Sequence, residues 1–337
     1  MRYSSNMGFM NFKRLIIAGF ALSIFFIPSA SYSDRESIYS RGQVRPLKDP
    51  QTPTLSAKQH FAVLEKAYQD KNWSKVIEHS SIILEHFSEE SFADLCHYYM
   101  GLSLFHERRY VRANRSLSHY LAVESPEHFQ EALRYKFDIA QNFARGKTGN
   151  YPMIKRLFSE RSFKERAIEI FDEILLAEPS GDLAAYSLYH KGLVLLNMGL
   201  YDESIAVFET TIRDFFKHEL VPEAYLGIAK SYAARYSQEK SKDIAILKLA
   251  EISNAKFERE YPAHPLVEEA KKELQSMREG YSWEMYEVGR YFERRKKPKA
   301  AGFYYRDICN NFPDTEAASL CHKKHASLLE EDASPHA

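Results

Sequence analysis

Four side chains near the C-terminus are of types that bind metal ions: Cys309, Cys321, His322 and His325. Their spacing, Cys-x11-Cys-His-x2-His, matches no standard zinc site, and on a helix His322 would face away from Cys321 and His325. We therefore predict no metal ion and no cofactor. A disulfide between Cys309 and Cys321 is an alternative use of the thiols in an oxidising compartment. However, Cys309 lies four residues before Pro313 and Cys321 lies eight residues after it, so the two do not face each other directly across the turn. The remaining cysteine, at position 96, lies on an apolar stretch and is predicted to be a small core residue.

Catalytic motifs are missing from the sequence. It contains no Gly-rich phosphate loop, no Gly-x-Ser-x-Gly, no His-Glu-x-x-His and no Cys-x-x-Cys. The 46 Asp and Glu residues interleave with 46 Lys and Arg residues, which is typical of solvated helix faces. The resulting net charge of zero argues against a generic nucleic-acid binder, which needs a surplus of positive charge. We predict that the chain is not an enzyme and that its partners are proteins.

Helices are predicted throughout the body of the chain. From Ser56 onward apolar residues recur at i, i+3, i+4 and i+7, the spacing of amphipathic helices. Only 13 Gly and 13 Pro occur among 337 residues, which favours long helices with short connections over a large sheet. The predicted helices are 57–70, 73–87, 91–106, 109–122, 127–145, 162–177, 182–198, 201–216, 221–236, 241–260, 264–295 (long, or broken near Gly280), 298–311 and 315–330.

These helices repeat with a period in the mid-thirties. Gly192 and Gly227 are 35 residues apart, and a small residue in a first helix is followed nine positions later by an aromatic residue, as Gly192 is by Tyr201. Sixteen positions after the small residue comes a residue of the second helix, such as Phe208 or Tyr305. A small residue lets the second helix approach closely, and a large side chain fills the space between them. The pattern resembles the tetratricopeptide repeat, so we predict an all-α superhelix of about six antiparallel helix pairs.

The N-terminal segment is predicted to direct export. A positively charged start is followed by an uncharged apolar run, Leu15–Ile27, and then by small residues. This is the pattern of a secretory signal peptide cleaved after Ser33 or after Ser31, with an uncleaved anchor as the alternative. A lipoprotein needs a cysteine directly after the apolar run, and none occurs between Phe25 and Asp34. The predicted organisation is a signal peptide at 1–33, a flexible leader at 34–55, a helical-repeat domain at 56–330 with an insertion at 146–161, and a disordered tail at 331–337.

Two surfaces are candidates for binding. In stacked helix pairs the first helices line an inner groove, and aromatic residues at its predicted inner positions suit an extended or helical peptide. The alternative is that these side chains are buried in the packing between repeats. The predicted groove residues are Tyr98, Leu102, Phe105, Tyr186, Tyr189, Tyr232, Trp283, Tyr286, Arg290 and Arg294.

The second surface is a basic turn between two helices. It consists of Arg295, Lys296, Lys297 and Lys299, and directly follows Arg294. Such a cluster could bind an acidic protein surface or anionic headgroups. The alternative is a solvated turn whose charges stabilise the C-terminus of the preceding helix.

The C-terminal third resembles a known family. It contains FEREYP at Phe257–Pro262, a tyrosine-rich helix EMYEVGRYFERR at Glu284–Arg295, an Ala-Ala pair at 300–301 and NFPDT at Asn311–Thr315. This order is similar to that of the BamD (YfiO) outer-membrane assembly lipoproteins. The resemblance implies a periplasmic scaffold at the inner face of the outer membrane, whose partner is a β-barrel assembly component or a client peptide. A Tol-Pal-associated coordinator of the YbgF type and a chaperone for secreted clients are the alternatives.

Overall fold

The computed structural model describes residues 55–147, 160–238 and 243–333, together with residues 53 and 149, and it describes side chains as far as Lys324. The chain divides into two units, Met1–Thr54 and Leu55–Ala337, and all the elements below belong to the second. The predicted signal peptide at 1–33 lies outside the described residues. So do nearly all of the leader at 34–55, most of the insertion at 146–161 and the end of the tail at 331–337.

Thirteen α-helices and no strand occur in the described part of the chain, which confirms the predicted fold class. The long helix is continuous through Gly280, so it is not broken there. The helices are α1 (Ala57–Gln69), α2 (Trp73–His86), α3 (Ala93–His106), α4 (Tyr110–Leu121), α5 (Phe129–Ala144), α6 (Glu160–Ala177), α7 (Asp182–Asn197), α8 (Tyr201–Asp214), α9 (Val221–Gln238), α10 (Ile244–Glu260), α11 (Pro265–Arg294), α12 (Pro298–Asn311) and α13 (Glu316–Ala333).

The helices form six antiparallel pairs, from α1/α2 to α11/α12, and α13 packs against the last pair. Each helix packs mainly against its neighbours in sequence. From α3 onward, the first helix of each pair also contacts the first helix of the next pair. These contacts build one continuous layer, so the described unit is a tetratricopeptide-like superhelix.

Close approach of the helices depends on glycine facing a ring. A Cβ atom added to Gly192 or to Gly227 would lie 2.6 Å from the ring of Phe208, which is fully buried. A Cβ added to Gly289 would lie 2.5 Å from the ring of Tyr305. The packing of a large side chain against a small residue is therefore confirmed. The repeat pattern predicts only the contact of Phe208 with Gly192. Phe208 also packs against Gly227, so it fills the space between α7 and α9, the first helices of two consecutive pairs.

The turn inside several pairs requires a left-handed backbone. Lys71, Arg108, Gly199 and Lys296 have φ values of 55°, 59°, 77° and 54°. At the last of these turns the amide of Lys297 donates to the carbonyl oxygen of Phe292 at 3.0 Å, which closes the helix end. Glycine is the residue best suited to this conformation, and three of the four positions hold a basic residue instead.

A buried lysine joins three helices. Lys136 on α5 is 2% exposed, and its Nζ donates to Asn114 Oδ1 on α4 at 2.9 Å and to Ser118 Oγ at 2.6 Å. The same ammonium forms an ion pair with Glu173 on α6. Burial lowers the pKa of Lys136, and the Glu173 carboxylate opposes that shift. The network fixes the register of α5 against its two neighbours.

Candidate functional site

A cleft of about 630 Å³ lies between the end of α3 and residues 130–138 of α5. The α5 residues that line it follow one another at helical spacing and form a single stripe. The α3 contribution comes from its last two residues, at the start of the turn to α4. The lining residues are Phe105, His106, Gln130, Glu131, Arg134, Tyr135 and Asp138.

Aromatic rings form one wall of this inner cleft. The rings of Phe105 and Tyr135 meet edge to face, with centroids 5.1 Å apart and an interplanar angle of 74°. The His106 ring stacks on Trp73 at 4.3 Å and 13°, and the rings of Phe105 and Tyr135 lie 5.8 Å and 6.2 Å from it. Rings held by one another present contact area at little further cost in side-chain entropy.

Charged groups line the cleft beside these rings. Two carboxylates and one guanidinium share the α5 stripe, so the cleft offers both acceptors and donors. Burial raises the pKa of Asp138, although Arg134 and Arg145 oppose the shift. Burial and the charge of Lys71 lower the pKa of His106, so this ring is neutral at neutral pH. A cleft with an aromatic wall and mixed charges suits the side chains and backbone of a peptide.

Four predicted groove residues belong to the core. Tyr98, Leu102, Tyr232 and Tyr286 are all buried, with at most 7% of their surface exposed. The Tyr98 ring stacks on His128 at 4.4 Å and faces the next pair. Because adjacent first helices contact one another, inner positions close to the seam between pairs are covered. These four side chains therefore offer little surface to a partner.

The other six predicted groove residues keep part of their surface in solvent. Phe105 lies in the inner cleft. On α7 the hydroxyl of Tyr186 donates to Glu219 Oε1 at 2.5 Å, and on α11 Arg290 donates to Glu287 Oε1 at 2.8 Å. Partner binding stays a prediction for all six: Phe105, Tyr186, Tyr189, Trp283, Arg290 and Arg294.

The basic turn is exposed to solvent. Its four residues and Arg294 are all exposed, and none has a carboxylate within ion-pair distance among the described residues. The Arg295 guanidinium lies 5.0 Å from the centroid of the Tyr291 ring. The turn therefore presents a concentrated positive charge whose ligand stays a prediction.

The cysteines do not pair. Cys96, Cys309 and Cys321 are free thiols, and Cys96 is a buried core residue, as predicted. The Cys309 Sγ donates to the carbonyl oxygen of Ala318 at 3.8 Å. Burial raises the pKa of Cys96 and of Cys321 to about 12. Within the described residues no group of three or more His, Cys, Asp or Glu could hold a metal ion, and the side chain of His325 lies outside them.

The cleft contains residues that the repeat pattern did not identify. Tyr135 and Arg134 come from α5, which lacks the glycine that sets the register of α3, α7 and α9. Without that glycine, inner positions could not be assigned on α5. Its spacing of polar and aromatic residues at i, i+4 and i+8 is the signal that could have found them.

The fold and its glycine–ring packing define the class: this is an all-α, tetratricopeptide-like protein. The family model described as "YfiO: Outer membrane lipoprotein" matches residues 151–333, which is more than half of the chain. The chain therefore belongs to the YfiO family, and this membership supports a protein-binding scaffold of the cell envelope. The inner cleft lies N-terminal to the matched residues. In the described residues, no helix has the length and apolar character needed to cross a membrane.

Several solved structures are similar to this chain. One is YrrB, a TPR protein with an unusual peptide-binding site, at 15% identity, 64% coverage of this chain, 92% coverage of that chain and a TM-score of 0.36. Another is a tetratricopeptide repeat protein from Parabacteroides merdae ATCC 43184, at 11% identity, 81% and 98% coverage and a TM-score of 0.37. A third is the C-terminal part of a TPR repeat-containing protein from Cytophaga hutchinsonii, at 12% identity, 77% and 98% coverage and a TM-score of 0.23. No curated protein matches the sequence.

Proposed function

We propose that the chain is an exported, non-catalytic adaptor that binds protein partners in the periplasm, at the inner face of the outer membrane. The process it serves is the assembly of outer-membrane β-barrel proteins. The observation that carries this proposal is the YfiO match over residues 151–333 on a tetratricopeptide-like fold. Its partners are an assembly component and the client peptides of that component.

The inner cleft is the proposed peptide site. Its rings are already packed against one another, and its α5 stripe is fixed by the buried Lys136 network. A rigid site spends little conformational entropy on binding, so more of the contact energy appears as affinity. Tyr135 supplies the aromatic ring of the α5 stripe, and Arg134 and Asp138 provide polar contacts beside it.

Affinity capture from detergent-solubilised envelope tests the proposal. The bait is the full chain, compared with Tyr135→Ala and with Phe216→Ala as a matched control, because Phe216 is 63% exposed and lies outside the cleft. We expect a β-barrel assembly subunit with the unaltered chain and with Phe216→Ala. Loss of one central ring lowers recovery by about tenfold or more.

The outcomes separate the function from the site. Recovery of Tol-Pal or wall-synthesis proteins instead of an assembly subunit contradicts the proposed function and favours a coordinator. Saturable binding of unfolded secreted clients, with no stable membrane partner, favours a chaperone. Equal recovery of the assembly subunit by Tyr135→Ala keeps the function and rejects the cleft as its binding site.

A further inference from the structure

The hairpin of α11 and α12 carries an exposed surface that combines apolar and basic side chains. Its apolar members are Val288, Tyr291 and Phe303, which are 38%, 45% and 58% exposed. Its basic members are the four residues of the basic turn, all of them exposed. We call these seven residues the aromatic–basic face.

The geometry of the hairpin puts Tyr291 and Phe303 on the same side. The rings of Phe292 and Tyr304 stack across the hairpin, with centroids 5.7 Å apart and an angle of 12°. Tyr291 and Phe303 each precede one member of this facing pair by one residue. In antiparallel helices, one step back from each member of a facing pair turns both side chains to the same side of the hairpin.

The turn adds its charge to that side. Arg295 follows Tyr291 by one helical turn, and its guanidinium lies over the Tyr291 ring at 5.0 Å. Between Glu293 and Asp307 the sequence holds no acidic residue. The Glu293 carboxylate is itself engaged, because it accepts hydrogen bonds from Tyr305 at 2.7 Å and from Lys324 at 2.6 Å. The four basic residues of the turn therefore have no ion-pair partner among the residues whose side chains are described.

We propose that the aromatic–basic face binds the surface of a bilayer that contains anionic phospholipid. Charge complementarity requires an anionic occupant, and a second copy would bring the same positive charge against it. Protein interfaces are depleted in lysine, and this face contains three lysines on long exposed side chains. Aromatic rings beside Lys and Arg are the combination found at membrane–water interfaces, where headgroups require no fixed partner geometry. This proposal does not depend on the proposed function.

Co-sedimentation of the full chain with lipid vesicles tests it. One set of vesicles contains phosphatidylcholine alone, and the other contains phosphatidylcholine and phosphatidylglycerol in equal parts. The test variant carries Arg295→Gln, Lys296→Gln, Lys297→Gln and Lys299→Gln. The control carries Lys58→Gln, Lys66→Gln, Lys248→Gln and Lys272→Gln, which are exposed and scattered and change the net charge equally. A second test variant, Tyr291→Ala with Phe303→Ala, keeps the charge and removes the rings.

The unaltered chain should bind the anionic vesicles, and added salt should weaken binding. Each cation near an anionic surface strengthens binding by about fivefold, so the test variant should bind more weakly by roughly two to three orders of magnitude. The control should bind nearly as well as the unaltered chain, and the ring variant should fall between the two. The apolar run at 15–27 is the same in every variant, so differences between variants report on the face.

Three results would overturn the proposal. They are no binding to anionic vesicles, equal binding to both kinds of vesicle, or a loss in the scattered control as large as that in the test variant. Binding of a polyglutamate peptide without binding of anionic vesicles would assign the face to an acidic protein instead. Circular dichroism spectra and urea midpoints, which should be unchanged in all variants, exclude unfolding as the cause.

Discussion

Replacing Gly227 with alanine should destabilise the protein although alanine is the better helix former. The added Cβ would lie 2.6 Å from two atoms of the Phe208 ring and 2.9 Å from a third. The ring has no room to move aside, because it packs just as closely against Gly192, where an added Cβ would also lie 2.6 Å from it. Overpacking of this kind costs up to about 3 kcal/mol, and the gain in helix propensity returns about 1 kcal/mol. We expect a net loss of about 2 kcal/mol.

Gly302→Ala is the matched control. Gly302 lies inside α12, and an added Cβ there would meet no atom within 4 Å. The substitution therefore gains helix propensity without overpacking and should stabilise the protein by roughly 0.5–1 kcal/mol. Urea unfolding followed by circular dichroism measures both variants against the unaltered chain.

The decisive measurement is whether Gly227→Ala lowers the stability while Gly302→Ala raises it. If Gly227→Ala is as stable as Gly302→Ala, the ring and the glycine do not limit the approach of the helices and the explanation of the repeat is wrong. Adding Phe208→Leu to Gly227→Ala should recover part of the loss, because the shorter side chain makes room for the methyl group. A further loss in the double variant would also contradict the reasoning.

Three other perturbations have defined outcomes. Glu173→Ala leaves the buried Lys136 ammonium without its carboxylate and should cost about 2–3 kcal/mol in urea unfolding; adding Lys136→Met should recover most of it. Burial lowers the pKa of His60 and of His79, whose Nδ1 atoms lie 2.8 Å apart. Stability present above pH 6.5 should therefore fall as the pH drops through the lowered pKa values, and His79→Asn should make the urea midpoint less dependent on pH in that range. Lys296→Gly should stabilise the chain by about 0.5–1 kcal/mol, measured as a higher urea midpoint, because φ is 54° there.

The fold follows largely from the sequence because its packing rule is local. A glycine and a ring sixteen positions later lie on consecutive helices, so their contact can be predicted from spacing alone, as for Gly289 and Tyr305. The second contact of Phe208, with Gly227, joins different pairs and has no fixed spacing. From the sequence, Gly280 could lie within one long helix or mark a break in it. In the structure α11 is continuous through Gly280, and an added Cβ there would lie 3.5 Å from the ring of Tyr236, an ordinary van der Waals distance.

The candidate site was less predictable, because exposure depends on where neighbouring pairs meet. The repeat register predicts that Tyr98 and Phe105 both lie on the inner side of α3, and in the structure Tyr98 is buried whereas Phe105 lines the cleft. The register of a single helix does not show whether an inner side chain lies at the seam between two pairs or at the opening of the cleft. The α5 residues of the cleft could not be predicted for a second reason. Helix α5 has no glycine, so its inner positions could not be assigned by their spacing from one.

The net charge of zero conceals an ordered distribution of charge. Turns inside the pairs all lie at one edge of a stack of antiparallel helix pairs, and three of these turns place Lys71, Arg108 or Lys296 at a left-handed position. Glycine would relieve strain at each of them, so the basic residues are held at a cost in stability. At two sites the charge has an identifiable consequence: Lys71 lowers the pKa of His106 in the inner cleft, and Lys296 belongs to the aromatic–basic face. The same local conformation thus adds positive charge next to both surfaces at which we propose binding.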